Sequence, residues 1–253
     1  MGGALPRQGR DIQGEQMSKA TDARTKRFVV GNWKSNKTLD QAQAWLVSFA
    51  RNYQPEAALQ VIIAPSSIWL VPLARQLQDL SLPGVYLAAQ DVSPFPRGSY
   101  TGAIAADMLA GSADYVIVGH GERRRYFHET SQDAVNKVSE AVDAGIKPII
   151  CVDTATAMSQ LVPLGDVDCE QLMIAYCPVE AMSYREAEKK ETVEEAARFI
   201  GQIHPTRPII YGGAITPDNA RDYAAIPGIS GLFVGQASLD PDAFVAICAA
   251  VAG

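Results

Sequence analysis

The chain has 253 residues, 47% of them hydrophobic and 20% charged, which is typical of a globular protein and excludes a disordered or fibrous one. Its net charge of −6 indicates no basic face, so nucleic acid and anionic membranes are not expected as partners. No apolar run approaches the ~18 residues that a membrane-spanning helix needs.

Residues 1–26 are polar and lack an apolar period, so we predict a disordered N-terminal extension, with Met17 as an alternative start. The segment has no hydrophobic region of the kind found in secretory signals, and we expect a cytoplasmic protein. Residues 27–253 are predicted to form one domain. The four cysteines lack CxxC spacing, which favours reduced thiols over disulfides or a zinc site.

From Arg27 onward, eight short apolar runs alternate with helical segments. Near-continuous apolar runs are typical of parallel strands buried on both faces. The predicted strands are Phe28–Trp33, Leu59–Pro65, Val85–Gln90, Tyr115–His120, Pro148–Val152, Leu172–Cys177, Pro208–Gly213 and Gly231–Gly235.

Helix start signals lie between these runs. Two pairs have capping-box spacing, and two cap residues precede a first-turn proline: Thr38 with Gln41, Thr192 with Glu195, Thr216-Pro217 and Asp240-Pro241. After Thr192, four apolar residues fall on one helix face: Val193, Ala196, Ala197 and Ile200.

Eight alternating units within one domain's length predict an α/β protein with a (β/α)8 barrel. A doubly wound open sheet is the alternative, but no GxGxxG turn follows the first strand. Pro163 and Gly165 interrupt the segment after the fifth strand. The fifth βα unit is therefore expected to be short or irregular.

In such barrels the active site lies at the carboxyl ends of the strands. Lys34 follows the first strand, where a cation suits an oxyanion or a phosphate. His120 ends the fourth strand beside a glycine, whereas His128 and His204 are expected at the surface. The other candidates at these ends are Asn32, Glu122, Cys177, Gly212, Gly213, Gly235 and Gln236.

Six segments, in order between Phe28 and Ala252, resemble those of the triosephosphate isomerase family. They are GNWKSNKT, AAQDVSPFPRGSYTGAIAADML, YVIVGHGERRRYFHET, AYCPVEAM, IIYGGAITPDNA and GLFVGQASLDPDAF. The resemblance implies isomerisation of dihydroxyacetone phosphate and glyceraldehyde 3-phosphate, in glycolysis and gluconeogenesis, without a metal or organic cofactor. A small phosphorylated metabolite is then the expected ligand.

The resemblance also implies residue roles. Asn32 and Lys34 match residues that polarise the substrate, His120 matches a neutral electrophile, and Glu122 matches a glutamate that orients the lysine region. The phosphate subsite falls on Gly212, Gly213, Ala214, Gly235 and Gln236. The loop from Asp91 to Gly102 resembles the one that inserts into a partner subunit, so a homodimer is expected, although Ala103 replaces the glutamate that usually follows.

The sixth strand departs from the family, because Cys177 stands where the family has the glutamate that shuttles the proton. A glutamate with a reference pKa near 4.3 is ionised at pH 7, whereas a cysteine near 8.5 is only a few per cent thiolate. The sulfur also reaches about 2 Å less far than a carboxylate oxygen. We therefore expect proton transfer by Cys177 in the family's geometry to be strongly slowed.

The lid and the phosphate subsite also differ from the family. The lid reads Val179, Glu180, Ala181, Met182, Ser183, Tyr184 and Arg185, without the family's hinge tryptophan or its two glycines. Ala214 replaces a serine and Gln236 replaces a glycine. Glycine allows a phosphate to approach the backbone closely, so the subsite is expected to be relaxed or remodelled.

Three hypotheses about function follow. The first is an isomerase of the family's type with weak or lost activity. The second is an altered enzyme in which Lys34 and His120 polarise a carbonyl and Cys177 acts as base or nucleophile. The third is a barrel without catalysis that has a binding or regulatory role.

Overall fold

The computed structural model describes residues 26–165, 167, 169, 171–178 and 186–253. Eight parallel strands form a closed barrel in sequence order, which confirms the predicted (β/α)8 architecture. The predicted extension, apart from Lys26, and the predicted lid lie outside the described residues. The strands are β1 Arg27–Asn32, β2 Leu59–Ala64, β3 Val85–Ala89, β4 Tyr115–Val118, β5 Lys147–Val152, β6 Met173–Tyr176, β7 Ile209–Tyr211 and β8 Gly231–Val234.

Helices cover the outside of the barrel. In the described part of the chain they are α1 Leu39–Asn52, α2 Leu70–Leu80, α3 Ala106–Leu109, α4 Gly121–Tyr126, α5 Ser131–Asp143, α6 Ala157–Leu161, α7 Lys190–Ile203, α8 Ala220–Ala224 and α9 Pro241–Ala252. None of these is long and apolar enough to cross a membrane.

The core has two layers because each strand alternates its side chains between two apolar environments. One layer fills the barrel and includes Val30, Ile62, Ile117, Ile149 and Ile210. The other lies between barrel and helices, where Trp45 and Phe49 of α1 pack against Phe244 of α9. The filled interior separates the two ends of the barrel.

Two predicted helix starts are confirmed. Thr38 forms a capping box with Gln41 at the start of α1. Asp240 accepts a hydrogen bond from the backbone N–H of Ala243, with Pro241 in the first turn of α9. Both signals are local, so the sequence is sufficient to predict them.

The other two predicted starts are wrong. Helix α7 begins at Lys190 rather than after Thr192, because tertiary hydrogen bonds fix the preceding backbone at Glu188. Thr216 leads into a turn, and α8 begins only after Asn219, whose side chain accepts from the Thr216 N–H. The predicted apolar face of α7 is nevertheless fully buried.

The fifth βα unit is short, as predicted. Among the described residues between β5 and β6 there are one five-residue helix, α6, and a 3-10 turn over Val162–Leu164. Pro163 lies in that turn, where it lacks the N–H that a longer helix would need. These described residues therefore give the barrel wall little helical cover.

An ionic cluster holds the base of the predicted subunit loop. The Lys137 ammonium of α5 lies 2.7 Å from Asp91 Oδ1 and 2.6 Å from Glu129 Oε2. Arg123 contacts the same two carboxylates, at 2.8 and 2.7 Å. Lys137 and Glu129 are almost completely buried, so their charges depend on each other for compensation.

Candidate active site

The carboxyl ends of the strands surround a cavity of about 490 Å³. The sequence-predicted residues that line it are Asn32, Lys34, His120, Glu122, Gly212, Gly213, Ala214, Gly235 and Gln236. Parallel strands bring all of these residues to one edge of the barrel although they are far apart in the chain. Cys177 does not line the cavity.

Lys34 is held in a fixed position. Its ammonium lies 2.5 Å from Glu122 Oε1, and its backbone N–H donates to Asn32 Oδ1 at 3.0 Å. The side chain of Gln90, at the end of β3, donates to the Lys34 carbonyl at 2.9 Å. Lys34 adopts a left-handed backbone with φ of 54°, a conformation that these contacts support. Sequence reasoning missed Gln90, whose signal was its position at the end of a predicted strand.

His120 is a buried neutral imidazole. It caps helix α4, and its Nδ1 accepts a hydrogen bond from the Glu122 backbone N–H at 3.2 Å. The pKa of His120 is lowered to about 4, mainly by burial; the charge of Glu122 opposes this shift, and the positive charge of Lys34 contributes to it. With Nδ1 as acceptor, the ring proton is assigned to Nε2, which makes His120 a neutral hydrogen-bond donor at pH 7.

Cys177 lies beneath the cavity rather than in its wall. Its side chain is 1% exposed and packs with the barrel interior, and its backbone N–H donates to the Val152 carbonyl at 2.8 Å. Gly212 lies so close that a Cβ there would be 2.7 Å from the Cys177 Sγ. A hydrogen bond with Cys177, together with burial, raises the pKa of Cys151 well above its ordinary value. The two thiols therefore behave as core groups.

Carboxylates are scarce at this site. Among the described residues that line the cavity, Glu122 alone carries a carboxylate, and it is paired with Lys34. The Lys34 ammonium binds this carboxylate, so the contact that Glu122 makes is with the cation. The described part of the site thus offers polarising groups without a carboxylate that is free to accept a proton.

The predicted phosphate subsite lies beside Lys34. A Cβ atom placed on Gly235 would lie 3.8 Å from the Lys34 Cε, so the Gly235 backbone is close to the lysine side chain. Ala214 has a φ of 47°, which is unusual for a residue with a Cβ. Gln236 begins a 3-10 turn, Gln236–Leu239, and lines the cavity. Both side chains thus lie at the cavity wall where the family has a serine and a glycine.

Three tyrosines on the outside of the barrel hold the chain that follows the predicted lid. The Tyr176 hydroxyl donates to Glu188 Oε2 at 2.9 Å, and the Glu188 backbone N–H donates to the Tyr211 hydroxyl at 3.0 Å. The Tyr223 hydroxyl donates to the Glu188 carbonyl. Sequence reasoning missed this anchor because the residues that form it come from separate elements.

The remaining histidines and cysteines lie away from the mouth. His128 is exposed, as expected, but His204 is half-buried, and its Nε2 lies 2.9 Å from the Leu161 carbonyl oxygen. All four cysteines are free thiols. In the described segments, no group of three or more His, Cys, Asp or Glu is arranged to hold a metal ion.

Comparison with known proteins agrees with this geometry. The family model for triosephosphate isomerase matches residues 27–251. The triosephosphate isomerase of Alkalilimnicola ehrlichii is 35% identical over 251 residues, which cover 89% of this chain and 98% of the relative. The one from Stenotrophomonas maltophilia is 35% identical over 251 residues, covering 90% and 98%. That from Polynucleobacter asymbioticus is 33% identical over 248 residues, covering 88% and 98%. The chain belongs to the triosephosphate isomerase family.

Proposed function

We propose that this protein binds a small phosphorylated hydroxycarbonyl compound in the barrel mouth and isomerises it only weakly. The reaction is the interconversion of dihydroxyacetone phosphate and glyceraldehyde 3-phosphate, which moves a proton between neighbouring carbons. A cytoplasmic location and a minor contribution to glycolysis and gluconeogenesis are part of this proposal. The observation that carries it is that the described residues of the mouth include the polarising groups, whereas their one carboxylate, that of Glu122, is paired with Lys34.

The polarising half of the reaction is supported by Lys34 and His120. In the proposed pose, the neutral His120 donates a hydrogen bond from its Nε2–H to the carbonyl oxygen of the substrate. The Lys34 ammonium, held by Glu122, stabilises the negative charge that develops on that oxygen, and the Lys34 backbone is fixed by its hydrogen bond to Asn32. These groups are fixed before substrate binds, so little reorganisation is needed.

The part of the proposed reaction in which a base accepts the proton from the substrate carbon has weaker support. Cys177 occupies the family's base position, but its sulfur is buried against Gly212 and Cys151. A positioned general base contributes about 10²–10⁴ in rate, and the shorter side chain adds a geometric loss. We therefore expect kcat/KM to be lower by at least roughly 10³ than that of an ordinary family member.

A coupled assay of the purified protein in both directions tests this proposal. The Stenotrophomonas maltophilia relative, assayed in parallel, supplies the reference. A His120→Gln variant, purified identically, measures any background from host enzyme, because it removes the proposed electrophile. Activity above that background but at least roughly 10³ below the reference supports the proposal. Turnover close to the reference would overturn it.

A non-catalytic binding role is the second candidate. Lys34 and His120 in the cavity wall, with Cys177 buried beneath it, favour this role, because groups that contact a ligand are kept while the family's base is replaced. Isothermal titration with glyceraldehyde 3-phosphate analogues distinguishes the two, since binding without turnover above the His120→Gln background supports this role. The alternative in which Cys177 attacks a substrate gains no support from a thiol that is 1% exposed.

A homodimer formed through the loop from Asp91 to Gly102 is also part of the proposal. Phe95 and Tyr100 in this loop stack at 4.7 Å between ring centroids, yet each remains 44% exposed. Met108, which follows the loop, is 63% exposed. An apolar cluster of this kind is typical of a protein interface, and light scattering in solution measures the oligomeric state.

A further inference from the structure

A second cavity, of about 870 Å³, lies at the opposite end of the barrel from the mouth. Its floor is made by residues at or near the amino-terminal ends of the strands: Phe28, Gln60, Tyr86, Tyr115, Lys147 and Met173. Because all strands are parallel, these residues meet at one edge. The filled barrel interior separates this cavity, which we call the amino-end cavity, from the mouth.

Permanent positive charges converge on the amino-end cavity. Lys26, Lys147, Arg198 and Arg207 line it, and no Asp or Glu does so in the described part of the chain. This contrasts with the chain as a whole, which has more acidic than basic residues. Arg198 has a distant partner, Glu194, at 3.9 Å. Like charges gathered in a concave site raise the local potential and attract anions.

Lys147 is positioned for binding by aromatic rings rather than by a carboxylate. Its ammonium lies 5.0 Å from the ring centroid of Tyr115 and 5.5 Å from that of Tyr86. The rings meet edge to face at 5.8 Å, and the Tyr115 hydroxyl donates to Gln60 Oε1 at 2.8 Å, which fixes its ring. Cation–π contacts orient an ammonium without neutralising its charge. Lys147 thus stays available to an anion.

The chemistry of these side chains selects the ligand class. A guanidinium binds phosphate oxygens through paired N–H donors, and an ammonium acts as a point charge for phosphate. Each phosphate ester carries a charge of about −1.5 to −2 at pH 7, so two phosphate groups would balance the four cations. The volume falls within the roughly 300–1,000 Å³ of typical small-molecule pockets.

We propose that the amino-end cavity binds a small molecule that carries two or more phosphate groups, independently of the mouth. Lys147 and Arg207 supply the central contacts, because both are half-buried in the cavity wall. Lys26 and the exposed Arg198 contribute at the rim. The site does not depend on the isomerase proposal, since it shares no residue with the mouth cavity.

Isothermal titration of inorganic tripolyphosphate into the purified full chain tests the proposal. We expect one saturable site that weakens as salt is added, and a rise in Tm on saturation. Lys147→Met and Arg207→Gln should each weaken binding by roughly tenfold or more, because each removes a charge-assisted contact. Thermal unfolding without ligand establishes that each variant is folded, and the use of two variants keeps the test independent of one substitution.

Two controls define the site. Lys190→Gln removes one positive charge at the start of α7, at the mouth end of that helix, and should leave affinity unchanged. Lys34→Met should also leave it unchanged, because that residue lines the mouth. Three results would overturn the proposal: no binding at millimolar tripolyphosphate, equal weakening by Lys190→Gln and Lys147→Met, or a loss confined to Lys34→Met. The last result would assign the anion to the mouth.

Discussion

Replacement of Cys177 by glutamate tests the proposal that the lack of the family's base at this position limits catalysis. The backbone at this position is fixed by strand β6 and by the hydrogen bond from the Cys177 N–H to the Val152 carbonyl. A glutamate side chain reaches about 2 Å further than the sulfur. Gly212, which lies against the Cys177 sulfur, also lines the mouth cavity of about 490 Å³ with His120 and Lys34, so a longer side chain at position 177 is expected to reach that cavity.

We expect Cys177→Glu to raise isomerase kcat/KM by about 10²–10⁴, the contribution of a positioned general base. This range corresponds to about 3–5 kcal/mol of transition-state stabilisation. Full family activity is not expected, because Ala214 and Gln236 still replace the family's serine and glycine at the proposed phosphate subsite. The gain should appear mainly in kcat, since the new carboxylate acts on the chemical step rather than on ligand binding.

Cys177→Gln is the matched control, because it has the same shape as glutamate and no basic oxygen of comparable strength. The coupled assay in both directions measures both variants, and thermal unfolding establishes that both are folded. Equal activity of the two variants, at a level above that of the unchanged chain, would refute the argument that the base is limiting. If both remain inactive, adding Gln236→Gly to Cys177→Glu shows whether the phosphate subsite limits turnover instead.

Three further predictions concern stability and assembly. The pKa of His120 is about 4 in the folded chain, against an ordinary histidine value of 6.5. Between these pH values the unfolded chain binds more protons than the folded chain. The free energy of unfolding therefore falls as the pH drops through this window, by on the order of 3 kcal/mol. His120→Gln should flatten the pH dependence of urea unfolding there, and an unchanged slope would contradict this reading. Lys137→Met should lower the free energy of unfolding in urea by roughly 3 kcal/mol, because Glu129 would lose a buried partner. As a control, Lys190→Met removes a partner from an exposed ion pair and should leave the urea midpoint unchanged. Tyr100→Glu should convert a dimer to a monomer in light scattering, and a monomeric native chain would contradict the dimer proposal.

The sequence was sufficient to predict the strands and most of the mouth. Each strand is an apolar run within a few residues of its predicted bounds, because burial on both faces leaves a local compositional pattern. Once a parallel barrel is predicted, residues that follow the strands must share one end, which places Lys34 and His120 together. The caps at Thr38 and Asp240 were equally local.

Only the tertiary structure decided which contacts hold these residues in place. Gln90 reaches the Lys34 carbonyl across 56 positions of sequence, and the start of α7 depends on Tyr211 and Tyr223. Cys177 follows a strand, like the mouth residues, yet its short side chain stays beneath the cavity against Gly212. Barrel closure sets such contacts, because it brings distant segments together without leaving a periodic signal in either one. For the same reason, no local pattern indicated that cations from four separate segments meet at the amino end of the barrel.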